Sequence, residues 1–157
     1  MTELVPELYD DTAGPAILDA ASILLVDKAQ GAPRVLMGLR QASNVFLPSK
    51  WVFPGGRLEA GDGKALCAGT LDPGDAYALR QRLLPARDAQ ALPQALAYAA
   101  VRELLEETGH ALAERHYGLP PREPLDEPAW TAWRGELRPS IEPLTFIARA
   151  ITPPGRT

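Results

Sequence analysis

Apolar positions open the chain's first clear element at Ala20. Ala20 to Asp27 (AASILLVD) is a short unbroken run rich in Ile, Leu and Val, bounded by turn formers. Its length and composition predict a buried strand. KAQGAP then supplies Gly31 and Pro33, and Arg34 to Arg40 (RVLMGLR) predicts a second strand. The two are expected to pair as a hairpin with a loose loop. Gln41 to Lys50 reads as a loop closed by Pro48, and Trp51 to Phe53 as a short extended segment running into Pro54, Gly55 and Gly56. Trp51 and Phe53 are expected to feed the core, the usual place of aromatics on a short apolar strand, although either can stack on a base.

The pattern changes after Gly61. Gly61, Gly63, Gly69, Pro73, Gly74 and Pro85 interrupt it, leaving room for one helix near Asp75 to Leu84, capped by Asp72 or Asp75. The clearest element follows. Pro93 suits a first helical turn, and QALAYAAVRELLEET is free of Gly and Pro and rich in Ala, Leu and Glu. Gly109 is its expected left-handed C′ residue. Beyond Pro120, Pro121 and Pro124, Asp126 to Leu137 predicts a short helix with Asp126 as N-cap, and Trp130 and Trp133 form a packed edge on it. Leu144 to Ile151 predicts a further strand. The arm 1–19 has no clear period, and no repeat or linker divides the chain, so residues 1–157 are expected to form one domain.

Composition narrows the class. Of 157 residues, 46% are apolar and 23% charged, which excludes wholesale disorder. Sixteen Pro and 13 Gly imply long irregular connections rather than a compact bundle. Twenty acidic against 16 basic residues give a net charge of −4, with no Lys/Arg run to neutralise a phosphate backbone. Duplex nucleic acid is therefore not an expected partner. The single cysteine, Cys67, excludes an intramolecular disulfide framework and fits a reducing compartment. Ile23 to Val26 is too short to span a bilayer, and the acidic start MTELVPELYD lacks the basic region of a signal peptide. The expectation is a soluble, cytoplasmic protein without a membrane partner.

Candidate chemistry lies at the end of the long helix. Glu103, Glu106 and Glu107 are three or four apart and share a face. They repel one another by a few tenths of a kcal/mol per pair. They also sit at the negative end of the helix dipole, at a cost of roughly 0.3–1 kcal/mol each. Helix propensity does not account for that arrangement. A divalent cation would, since Mg²⁺ takes hard oxygen ligands. The ordinary alternative is a solvated acidic face paired with nearby arginines.

Two segments together carry a family resemblance. Phe53-Pro54-Gly55-Gly56-Arg57-Leu58-Glu59-Ala60-Gly61-Asp62 and Arg102-Glu103-Leu104-Leu105-Glu106-Glu107-Thr108-Gly109 resemble the halves of a Nudix box, G-x5-E-x7-R-E-U-x-E-E-x-G-U, with U a bulky aliphatic. Gly56 takes the first glycine, Asp62 stands where Glu is usual, and His110 replaces the last aliphatic. The spacer, residues 63 to 101, is 39 residues long where the usual box has 7. This 32-residue insertion, with VLMGLRQASNVFLPSKWVFPGG (Val35 to Gly56) and the terminal ARAITPPGRT, resembles the coenzyme A diphosphatase branch.

The resemblance implies an α/β/α sandwich around a mixed sheet, and hydrolysis of a nucleoside diphosphate linked to another group, most directly coenzyme A or an acyl-coenzyme A. It implies Mg²⁺ or Mn²⁺ bound by Glu103, Glu106 and Glu107 with a backbone carbonyl at Gly55 or Gly56. Arg102 would orient Glu103. Gly55 and Gly56 would let backbone approach the metal closely. Asp62, one methylene short, has the uncertain supporting role. Arg40, ending a strand before the Gly-Gly turn, can meet a substrate phosphate or serve as an ordinary surface arginine. His110 and His116 lack ligand-like spacing, and Cys67 has no residue nearby to activate it.

In that branch a strand and helix follow the ITPPGR-like segment, so the resemblance also implies that the fold is incomplete at the C-terminus, which favours self-association into a homo-oligomer. Two other readings stay open: an ADP-ribose or NADH diphosphatase, and a Nudix-like fragment that binds metal or nucleotide without turnover.

Overall fold

The computed structural model describes residues 18–29, 31–43, 48–65, 67–81, 83, 87–115 and 137–150. In chain order these form β1 (Ala20–Ser22), β2 (Val26–Asp27), β3 (Arg34–Val35), β4 (Gly38–Leu39), β5 (Trp51–Val52), β6 (Gly55–Arg57), a 3-10 turn (Asp62–Lys64), α1 (Pro73–Arg80), α2 (Leu92–Thr108), β7 (Ala113–Arg115) and β8 (Leu137–Pro139). The architecture is mixed α/β and Nudix-like, with small ladders wrapped around α2.

The expected hairpin forms where β2 pairs antiparallel with β3, and Leu36 N–H extends it to the Leu25 carbonyl at 3.0 Å. Asp27 fastens the turn by accepting from Ala29 N–H at 2.8 Å and pairing with Arg34. Each expected long strand nevertheless divides between two partners. The first half of 20–27 pairs with β6, with Ala21 opposite Gly56, and Ile23 N–H donates to Pro54 O at 2.9 Å. The second half of 34–40 pairs with β5, with Leu39 opposite Trp51. Strands that change partner along their length have to bend, and this sharing brings Gly55 and Gly56 against the first strand. The described ladders are antiparallel, and among the described residues the parallel pairing is the Ala68–Ser140 bridge.

Helix α2 lies where expected. Its start is prepared by Asp88, whose side chain accepts from Gln90 and Ala91 N–H groups at 2.8 and 3.1 Å. Gly109 ends it in the left-handed region at φ 73° with its N–H on Leu105 O at 2.8 Å, a conformation in which a Cβ is disfavoured. The helix is buried on more than one side because it is apolar on more than one side. Ala100 and Leu104 pack with Ile23, backed by Leu25 and Leu36. Ala97, Tyr98 and Val101 pack instead with Ala65 and Ile141, backed by Cys67 and Leu71.

The second cluster comes largely from the insertion between the two halves of the motif. Ala68 N–H and C=O bond to Pro139 and Ile141, and Cys67 N–H donates to the Tyr98 hydroxyl at 2.7 Å. An Arg87–Asp19 ion pair of 2.7 Å ties the insertion to the chain just before β1. Helix α1 begins with Asp72 as its cap, accepting from Gly74 and Asp75 N–H, but stops at Arg80 rather than Leu84 because Gln81 turns to extended backbone.

Three other expectations change. Leu137 begins β8 instead of ending a helix; the rest of the 126–137 helix, with Trp130 and Trp133, lies outside the described residues, as do His116 and most of the N-terminal arm. Residues 144–150 form no ladder among the described residues. Arg149 instead caps the end of α1 by donating to the Leu79 and Gln81 carbonyls, which holds the segment against a helix rather than beside a strand. Trp51 and Phe53 are exposed rather than core, because register directs them away from the side on which Leu36 meets α2.

Burial pushes the Cys67 thiol up from 9.0 to about 12, with Tyr98 acting in the opposite direction. The fold thus favours the neutral thiol, a contribution full below 9.0 and lost as pH rises towards about 12. Ellman's reagent at pH 8 should modify Cys67 on the order of a hundredfold more slowly in the native protein than in urea. Equal rates would show the thiol to be open.

Candidate active site

The last two turns of α2 meet strand β6 and the 3-10 turn at a single side chain, Arg102. It is buried, so its charge and five N–H groups need partners inside the protein. Nε donates to Asp62 Oδ1 at 2.9 Å and one terminal nitrogen to Asp62 Oδ2 at 3.2 Å and Arg57 O at 2.9 Å. The other terminal nitrogen donates to Glu103 Oε1 and Glu106 Oε2, each at 2.9 Å. Burial works against the Arg102 charge, but Asp62 and Glu103 outweigh it, and its pKa moves up.

Arg102 thus contacts Glu103, the carboxylate it was expected to orient, and three further acceptors besides. Asp62, fully buried, grips Arg102 with both oxygens and is itself held by Glu59 N–H at 2.8 Å. The shorter side chain reaches because the 3-10 turn starts at Asp62 and carries it towards α2. Nothing in the motif pointed to the Arg57 carbonyl, since a backbone acceptor leaves no mark in residue type.

Gly56 explains its own identity. A Cβ there would run into the Glu103 carboxylate, and one on Gly55 would strike Ala21 O and the Ser22 side chain. Gly55 N–H donates to Glu107 Oε2 at 3.1 Å. The two glycines thus allow contact between β6 and two of the three glutamates. Burial raises the Glu103 pKa, Arg102 opposes the shift, and Glu106 and Glu107 add to it.

The three carboxylates offer hard oxygen donors on one helix face, the chemistry a Mg²⁺ or Mn²⁺ ion needs. Glu103 and Glu106 share one terminal nitrogen of Arg102, while Glu107 sits on Gly55 N–H. Among the described residues no three carboxyl, imidazole or thiol groups converge into a ready cation cluster. Glu106 and Glu107 are exposed, with room to turn.

Beside Gly55 and Gly56 opens a cleft of about 420 Å³, lined also by Met37, Arg40, Trp51 and Phe53. Arg40 lines the same cleft, with its backbone paired to Ser49 and Lys50. His110 is exposed and its ring Nδ1 lies against Thr108, away from any ligand-like group. No helix among the described residues is long and apolar enough to cross a membrane.

No family model matches this chain, and no curated protein sequence matches it. A solved structure does: a Nudix hydrolase from Alicyclobacillus acidocaldarius, 27% identical, with a TM-score of 0.60 over 89% of this chain. The chain spans 64% of that protein's length. The fold is therefore Nudix-like.

Removing the Asp62 carboxylate would leave a buried guanidinium without its main counter-charge. Asp62→Ala should lower stability by about 3–5 kcal/mol, read from the urea unfolding midpoint. A loss under about 1 kcal/mol would mean that the pair is no more than a surface-type contact.

Proposed function

We propose that this protein hydrolyses a nucleoside diphosphate joined to another group, with coenzyme A or an acyl-coenzyme A as substrate and Mg²⁺ or Mn²⁺ as cofactor. The observation that supports the reading is the contact of Glu103 with Gly56 and of Glu107 with Gly55 N–H, with Arg102 joining Glu103 to Glu106. An acidic face paired only with nearby arginines would not also engage a backbone N–H 52 residues away, as Glu107 does at Gly55. The likeness in fold to a Nudix hydrolase supports the reaction class. The coenzyme A assignment rests on the split motif and on the Val35 to Gly56 stretch.

Water attacks phosphorus, the bridging P–O bond breaks, and the attacking water gives up a proton. Glu103, Glu106 and Glu107, with a carbonyl of Gly55 or Gly56, would hold the cation, which shields the diphosphate and favours attack when bound. Arg102 positions the two carboxylates it touches, and Arg40 supplies positive charge at the cleft for a phosphate. The lone cysteine supports a reducing, cytoplasmic setting.

The test is turnover of coenzyme A, acetyl-coenzyme A, ADP-ribose and NADH by the 157-residue chain, with Mg²⁺ or Mn²⁺ and with chelator. Metal-dependent release of adenosine 3′,5′-bisphosphate from the coenzyme A substrates is expected. Glu106→Gln and Glu107→Gln should each abolish it while circular dichroism stays unchanged. Undiminished turnover in both would remove the carboxylate assignment, and a preference for NADH or ADP-ribose would overturn the substrate.

A further inference from the structure

Trp51 is 64% exposed, and on the same side of the sheet Leu39 is 58% exposed. The two stand directly opposite in the β4–β5 register, so their side chains are neighbours. Met37 and Phe53, each 37% exposed, share the cleft with Trp51. A lone exposed apolar residue is ordinary, but several gathered around a cleft mark a binding surface. The cleft's volume lies in the range of small-molecule sites, which pair apolar walls with a few polar groups. Polar lining comes from Arg40 and from Gly55 and Gly56, the backbone that meets Glu103 and Glu107.

We propose that Trp51, with Met37 and Phe53 beside it, is the platform on which the base of the nucleoside diphosphate stacks. The proposal rests on the hydrolase reading only for the class of ligand. An indole face rewards a planar ring over its whole area and tolerates any base, whereas a flexible chain gains from apolar area alone. The layout also suits the ligand's own order, with the ring against the aromatic wall and the anionic diphosphate towards the glycine turn. Trp51 is the main stacking residue of that wall because it presents the largest open face.

Equilibrium dialysis of ADP, inorganic pyrophosphate and pantetheine against the full chain tests this. The wild type should bind ADP about tenfold or more tightly than pyrophosphate. Trp51→Ala should remove most of that difference without changing pyrophosphate affinity, and Trp51→Tyr should retain it; circular dichroism checks that both variants fold. ADP binding no tighter than pyrophosphate in the wild type, or unchanged in Trp51→Ala, would overturn the platform. Loss of pantetheine but not ADP in Trp51→Ala would replace it with a chain-binding wall. Trp51-dependent ADP binding without hydrolysis of any substrate would refute the hydrolase reading alone. Hydrolysis with a KM that Trp51→Ala does not move would refute the platform alone.

Discussion

One buried guanidinium organises this protein. Arg102 is enclosed by the fold, and a charge without water is tolerated only where partners surround it. Its four partners come from three elements: the Asp62 carboxylate on the 3-10 turn, the Arg57 carbonyl on β6, and Glu103 and Glu106 on α2 itself. The requirement to satisfy every N–H therefore draws a strand, a turn and a helix to one point. That point is also where the glycine turn meets the carboxylates, so stability and chemistry share a single constraint.

Helix α2 is the other half of that constraint. Its alanine-rich middle lets two sets of neighbours approach closely, the sheet through Ala100 and Leu104 and the insertion through Ala97, Tyr98 and Val101. The insertion is thus part of the core rather than an appendage. Its backbone bridges to Ser140 and its Cys67 N–H is bonded to Tyr98. Splitting the motif by 32 residues leaves the site intact because those residues leave after Asp62 and return to α2 before Arg102, spending the intervening length on packing.

The outer side of the strands follows a different logic. Leu36 turns towards α2, while Leu39 and Trp51 turn away and stay open. Exposure of such residues forgoes the roughly 1.5–3 kcal/mol that burial of a large apolar side chain brings. Of that exposed surface, Trp51 lines the cleft that also holds Arg40 and the glycine turn.

Much of this was legible in local sequence. The helix ending at Gly109, the Asp72 cap, the turn at Gly31 and the carboxylate spacing all follow from backbone preferences and helical periodicity, which act over a few residues. That the glycine turn and the glutamates belong together was an expectation of the motif alone; the approach of Gly56 to Glu103 came from the fold. What the chain alone left open were long-range choices: the division of each strand between two partners, the docking of 144–150 on α1 through Arg149, and the outward turn of Trp51 and Phe53. An apolar strand residue is compatible with either face until register is set, and register is set by partners far away in sequence. Local propensity and motif thus determined the elements and the candidate residues. Only tertiary structure decided which atoms satisfy Arg102 and which aromatics remain open, because both depend on what the folded chain places within a few ångströms.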